Sequence, residues 1–264
     1  MTTKICQIHS EPTNELSEVV AALNLPLCKN YEDALDLGYK LILCAEGVKL
    51  SLLSSSLGKK TYLEIDFAGG TLDHRRHYGG GRNQDLCRAV GLNRQRNLQI
   101  TDATAGLGRD AFILSLQGAQ VSAYERNPVL ACMLTRARQQ GLERASARPD
   151  TELLKVLNRL NFICADSSSQ IKPQSCDVVY IDPMFSPREK SAKVKKEMQI
   201  LHQLLEDDKT NPQHIFATCS SAARSRLVIK RPAKAPLFAD EKPSHQIMGK
   251  SIRYDVYVKC ALPI

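Results

Sequence analysis

The sequence predicts an α/β fold: a Rossmann-like, mostly parallel sheet with helices on both faces, an antiparallel edge strand and a small N-terminal α/β appendage. Three observations carry this expectation. Residues 98–114 read as an apolar strand, a glycine turn and a helix start, with Gly106, Gly108 and Ala111 in the spacing Gly-x-Gly-x-x-Ala. Short apolar runs then recur between helical patterns, as consecutive βα units require. Finally, Ile252, Tyr254, Val256 and Val258 alternate with Arg253, Asp255, Tyr257 and Lys259, the period of a strand, and read as an antiparallel strand closing the sheet edge.

The 264 residues suffice for one α/β domain with an appendage, and 43% hydrophobic content excludes a disordered chain. A formal charge of +8 favours a polyanionic partner. The nine cysteines are odd in number and form no Cys-x-x-Cys pair, which argues against a disulfide framework. Cys132, Cys164 and Cys176 lie in apolar runs and read as small core residues, as in a reducing compartment. No signal pattern or membrane-length apolar run is visible, so no membrane association and a cytoplasmic location are expected.

In chain order, residues 1–72 form the expected appendage, with strands at 5–8, 41–44, 50–57 and 62–67 and a helix at 14–23. No chemistry is visible there. Residues 73–97 are read as a basic Gly/Arg-rich loop and a connecting helix, and residues 98–264 as the catalytic domain. Five glycines fall between Gly69 and Gly81, and from Asp73 to Arg96 six arginines face two acids. Glycine backbone interleaved with Arg75, Arg76 and Arg82 suits phosphate binding, and Tyr78 offers a face for a base. A solvated linker is the plainer reading. His74 and His77 have no ligand cluster around them, so no metal is expected.

At the organising turn, Asp102 precedes the glycines and Asp110 opens the helix. Two carboxylates oppose a pyrophosphate, which a helix N-terminus otherwise welcomes. They suit a ligand with an ammonium and a sulfonium, such as S-adenosylmethionine. The next strand, 120–124, ends at Glu125, seventeen residues after Gly108, where a carboxylate can accept both ribose hydroxyls. Asn127-Pro128 starts a helix over 129–140, a second helix covers 150–160, and a strand over 160–164 ends at Asp166 and Ser167. Those polar side chains can pair with an adenine amino group or cap a turn.

The second chemical signal is Asp182-Pro-Met-Phe185, just past the buried strand 178–181. Open α/β sheets place ligands at that end. Asp182 can accept a hydrogen bond from an exocyclic amine, and Phe185 can stack on an extruded base. A helix over 190–205 follows, with Lys193 and Lys196 on its outer face as further phosphate contacts, and a strand over 227–230 is stopped by Pro232.

Taken together, these segments resemble the RsmJ family of class I S-adenosylmethionine-dependent methyltransferases, which act on a guanine N2 amine of small-subunit (16S) ribosomal RNA. The resemblance spans residue 62 to the C-terminus. It rests on Asp66-Phe-Ala-Gly-Gly70, His74-Arg-Arg-His-Tyr-Gly-Gly-Gly-Arg82, Asp102-Ala-Thr-Ala-Gly-Leu-Gly-Arg-Asp-Ala-Phe112, Glu125-Arg-Asn-Pro128, Asp182-Pro-Met-Phe185 and Lys190-Ser-Ala-Lys-Val-Lys-Lys-Glu-Met198. It implies that Arg109, Asp110, Glu125, Arg126, Asp166, Ser167 and Asp182 line the cofactor pocket, beside the turn residues Asp102, Gly106 and Gly108. Its substrate would be 16S ribosomal RNA or the small ribosomal subunit. On this reading Asp182 and a backbone carbonyl near Pro183 accept hydrogen bonds from the amine while Phe185 holds the base. The other readings are a methyltransferase for adenine N6 in DNA or RNA, a nicotinamide-dependent oxidoreductase, and a non-catalytic RNA-binding protein.

Overall fold

Two sheets form because the chain carries two sets of apolar strands with different connections. The computed structural model describes residues 4–10, 12–57, 61–79, 81–183, 196–205 and 211–263. The first elements are β1 (Ile5–Ser10), α1 (Asn14–Ala21), α2 (Tyr31–Asp36), β2 (Leu41–Glu46), β3 (Lys49–Ser54) and β4 (Tyr62–Leu63). Next come α3 (Gly70–Tyr78), α4 (Asp85–Val90), β5 (Gln99–Asp102), α5 (Arg109–Leu116), β6 (Gln120–Glu125) and α6 (Pro128–Ala147). The chain continues through α7 (Thr151–Asn158), β7 (Leu160–Cys164), α8 (Ser167–Gln170), β8 (Cys176–Ile181) and α9 (Lys196–Leu204). It ends with α10 (Pro212–Ala222), β9 (Ala223–Pro232), β10 (His245–Met248) and β11 (Ile252–Val258).

One compact unit comprises the chain up to Ile65, Cys132–Gln140 of α6, and α9. Its sheet has the order β1-β2-β3-β4, parallel between β1 and β2 and antiparallel thereafter. Cys6, Cys28, Ala34 and Ile42 pack at its centre. Ser54 Oγ donates to Gln203 Oε1 at 2.7 Å, and Arg136 Nε donates to the Val48 carbonyl at 3.1 Å. Helix α2, absent from the sequence reading, is started by Asn30, whose side chain accepts from the Asp33 amide at 2.9 Å.

The second unit holds the seven-stranded sheet, of order β10-β11-β9-β8-β5-β6-β7. Strands β7, β6, β5, β8 and β9 run parallel, and β11 pairs antiparallel with both β9 and β10. All six residues of β8 are buried, because helices cover both faces of a central parallel strand. The fold is therefore the predicted α/β class with its antiparallel strand. That strand lies one position inside the edge, with β10 as the outermost strand.

Several local expectations change. The strand expected over 50–57 ends at Ser54, where a 3-10 turn begins, and that over 62–67 shrinks to Tyr62–Leu63. Phe67 instead stacks between Phe112 and Phe162, at 5.6 Å from each ring. Helix α6 runs to Ala147, past the expected end at 140, and α10 and β10 were not anticipated. The first two polar side chains of β11 do not meet water. Arg253 and Asp255 are buried as an ion pair at 2.8 Å, and Arg253 also donates to the carbonyls of Ala233 and Ala235. Of the three cysteines read as core, Cys176 is buried and Cys132 half-buried, while Cys164 is exposed at the end of β7.

The largest correction is the basic stretch. Residues 70–78 form a helix, not a loop, because the glycines flank the segment and leave Thr71 to Tyr78 free of helix breakers. Gly70 starts the helix at φ +59°, and a side chain on Gly79 would collide with the Arg75 carbonyl.

Candidate active site

Where β5 ends, Asp102 turns its carboxylate back to the Thr104 amide at 3.0 Å. The residue is 1% exposed, and burial pushes its carboxyl up to about 8. It shapes the turn from below and offers no surface to a ligand. Gly106 and Gly108 follow at φ +55° and +69°, a region in which a Cβ is strained. Helix α5 starts at once, with Arg109 exposed and Asp110 in its first turn.

Glu125 ends the neighbouring strand β6 and is 6% exposed. Its Oε2 accepts from the Gly106 amide at 3.1 Å and its Oε1 from the Asn127 amide at 2.8 Å. Burial raises its carboxyl, and these amides oppose the rise. The carboxylate thus braces the glycine turn while its remaining lone pairs stay available for hydroxyl donors. Arg126 follows, half-buried.

At the end of β7, Asp166 caps α8. Its Oδ1 accepts from the Ser168 amide at 2.8 Å and the Ser168 hydroxyl at 2.7 Å. Burial would raise this carboxyl, but those two bonds together with Arg126 hold it below its usual range. Ser167, its neighbour, is buried.

Asp182 stands just past β8, where its amide donates to Thr104 Oγ1 at 2.7 Å. The parallel register aligns Ile181 with Ile229, so the next step brings Asp182 beside Lys230 of β9. Lys230 Nζ donates to Asp182 Oδ2 and to Asp110 Oδ2, each at 2.8 Å, and the Tyr180 hydroxyl donates to Asp110 Oδ2 at 2.6 Å. Burial raises the Asp182 carboxyl, with Lys230 working against the rise. The structure thus gathers Asp102, Gly106, Gly108, Asp110, Glu125 and Asp182 at one end of the sheet. Lys230 and Tyr180 join them, although the sequence reading passed over both. The available signal was the lysine at the carboxyl end of a predicted parallel strand. Pro183 follows half-buried, whereas Phe185 and Lys193 lie outside the described residues.

The donor set fits S-adenosylmethionine. The carboxylates of Asp110 on α5, Glu125 on β6 and Asp182 past β8 gather at this end of the sheet with the lysine Lys230, which suits a ligand bearing ammonium and sulfonium charge and disfavours a pyrophosphate. Bare glycine backbone at 106 and 108 lets such a ligand approach closely. Among the described residues, no cluster of three His, Cys, Asp or Glu side chains has the geometry to hold a metal, and no helix is long and apolar enough to cross a membrane.

The basic residues divide differently. Arg76 is engaged by Asp150 at 2.7 Å, Asp73 at 2.8 Å and Glu152 at 3.0 Å, and its side chain is 6% exposed. It holds α3 to the start of α7 and presents no guanidinium to a phosphate. Arg75 is exposed, donating to Gln84 at 3.2 Å, Arg82 is half-buried, and Lys196 is exposed at the start of α9. Tyr78 is 78% exposed.

Comparison with known proteins agrees with this geometry. The sequence pattern of a family described as "Putative SAM-dependent methyltransferase" matches residues 26–259, so the likeness begins well before residue 62. The chain is 41% identical over 219 residues to ribosomal RNA small subunit methyltransferase J of Saccharophagus degradans, covering 80% of this chain and 81% of that protein. The protein of the same name from Thioalkalivibrio sulfidiphilus is 39% identical over 254 residues, covering 94% and 95%. A crystal structure of a SAM-dependent methyltransferase from Neisseria gonorrhoeae superposes with a TM-score of 0.72 at 26% identity, over 96% of this chain and 95% of that one.

Proposed function

The chain belongs to the family of S-adenosylmethionine-dependent methyltransferases, and from that premise we propose that it methylates the exocyclic N2 amine of a guanine in 16S ribosomal RNA. The observation that carries this reading is Asp182, set at the carboxyl end of the central strand beside the braced glycine turn. The relatives' printed name supplies the ribosomal RNA of the small subunit. A cytoplasmic location and the small ribosomal subunit as partner follow from that substrate.

S-adenosylmethionine, when bound, supplies an electrophilic methyl group on a sulfonium. Glu125 would accept hydrogen bonds from the ribose, Asp166 and Ser167 would serve the adenine side, and the Gly106–Gly108 turn would let the ligand lie against backbone. Arg109, Asp110 and Arg126 complete the pocket wall.

A guanine amine delocalises its lone pair into the ring and is a poor nucleophile, so orientation is the main contribution the protein makes. Asp182 accepts from the amine through Oδ1, since Lys230 occupies Oδ2. The carbonyl near Pro183 takes the second N–H, and Phe185 stacks on the base. Formation of the N–CH3 bond would break the S–CH3 bond and leave a neutral thioether, and the then strongly acidic nitrogen would lose its proton to water, so no strong base is needed. Arg75, Arg82, Lys193 and Lys196 contact the RNA backbone, and Tyr78 offers an exposed ring for a base.

The test is transfer of labelled methyl to small ribosomal subunits, followed by nucleoside analysis. Label in N2-methylguanosine is expected, and label in N6-methyladenosine would replace this reading with the adenine alternative. In the same assay, Asp182→Ala is expected to lower turnover about 100-fold or more, the scale of losing an oriented transition-state contact. Cofactor affinity is measured alongside, so that the loss of turnover is read on cofactor-loaded enzyme. Near-normal turnover would remove Asp182 from the mechanism.

A further inference from the structure

We infer that Lys230 is the positioning residue of this site: its ammonium clamps Asp182 as an ionised acceptor and ties it to Asp110 on the cofactor side. The inference rests on the role proposed above for Asp182. Both hydrogen bonds measure 2.8 Å, and the Lys230 side chain is only 21% exposed, so the contacts are largely shielded from water. Three strands and a helix fix the arrangement. Parallel pairing of β8 with β9 sets Lys230 beside Asp182, antiparallel pairing with β11 sets it opposite Tyr254, and α5 delivers Asp110 from above the turn.

The charge balance explains why a cation is needed there. The groups whose charges act on Asp182 and Lys230 are Asp110 from α5, Asp102 from β5, Tyr180 from β8 and Tyr254 from β11. Burial and the Asp110 charge push the Asp182 carboxyl up, and Lys230 is the group that opposes them. Lys230 itself is disfavoured as a cation by burial, yet Asp110 and Asp182 hold it above the ordinary lysine range. With the ammonium removed, Asp182 takes up a proton and presents an O–H donor to an amine that needs an acceptor. Tyr180, donating to the same oxygen of Asp110, keeps that carboxylate aimed at the lysine.

The experiment compares pH profiles of methyl transfer for the wild type, Lys230→Met and Lys230→Arg, alongside the 13C carboxyl titration of Asp182, assigned with Asp182→Asn. The NMR arm needs no turnover and therefore stands even if the proposed substrate is wrong. Loss of a cation at this range is expected to move the acid limb, and the Asp182 titration with it, upward by about one to three pH units in Lys230→Met. Lys230→Arg is expected to restore the limb. An unchanged Asp182 titration in Lys230→Met, or activity lowered equally at every pH, would overturn the proposal and leave Lys230 a packing residue. Should Lys230→Met fail to fold, Lys230→Gln, which keeps a polar tip on a similar stem, carries the same comparison.

Discussion

Two glycine-rich, charged stretches of this chain fold in opposite ways. At Gly106–Gly108 the glycines lie inside a strand-to-helix turn, at φ +55° and +69°, with a buried carboxylate braced against the turn amide. Around α3 the glycines lie outside the charged run, where Gly70 starts a helix and Gly79 ends it. Glycine between an apolar strand and an apolar helix therefore marks backbone that a ligand approaches. Glycine on either side of a run of helix-tolerant residues marks only the helix ends.

The strongest way to break the first half of this comparison is Gly106→Val. A β-branched side chain at φ +55° is strained, costing about 1–2 kcal/mol from backbone alone. It also covers backbone that is otherwise bare, since an added Cβ meets only the Thr104 carbonyl at 3.9 Å among the described residues, and should remove measurable S-adenosylmethionine binding by calorimetry. Retained binding would mean that the ligand does not approach the turn.

The second half is tested by Arg76→Met, which strips Asp73 and Asp150 of their shared partner. Because the guanidinium is 6% exposed and the partners are partly open, a loss of about 2–3 kcal/mol in denaturant stability is expected. Turnover per folded molecule should be near wild type. Unchanged stability with a raised KM for RNA would return Arg76 to the phosphate-binding role.

The turn also predicts a pH effect. Asp102 has a folded carboxyl raised to about 8 by burial, whereas an unfolded aspartate titrates near 3.9, so between those values the folded state binds more protons. Stability therefore falls as pH rises through this window. Asp102→Asn removes that dependence, and its stability curve should flatten by about 2 kcal/mol between pH 5.5 and 7, measured by urea melts. Parallel curves would mean that Asp102 is already ionised in the folded state.

These cases show what the sequence made legible. The glycine turn, Glu125 and Asp182 were readable because each sits next to a strand end, and period and spacing alone locate strand ends in an open α/β sheet. Lys230 and Tyr180 were not, because what gives them meaning is pairing between β8, β9 and α5 across distant segments. Arg76 was misread for the same reason: its partners Asp150 and Glu152 lie more than seventy residues away. The burial of the Arg253–Asp255 pair was likewise not legible, since strand alternation gives the period but not what covers each side.

The smallest effect separates the two arginines that adjoin in sequence. Arg75 is exposed and donates to the neutral Gln84 at 3.2 Å, so its removal strips no buried charge among the described residues of its partner. Arg75→Ala should leave the melting curve within about 0.5 kcal/mol of wild type, as surface substitutions do. If Arg75 meets an RNA phosphate, the variant should weaken subunit binding several-fold, and the slope of log affinity against log salt should fall by about one. Cofactor affinity and turnover at saturating subunit should stay unchanged. Its neighbour behaves in the reverse sense, losing stability and keeping affinity. If Arg75→Ala and Arg76→Met instead gave the same pattern, the helix would present one uniform basic face, and the distinction drawn from the contacts of Arg76 would not hold.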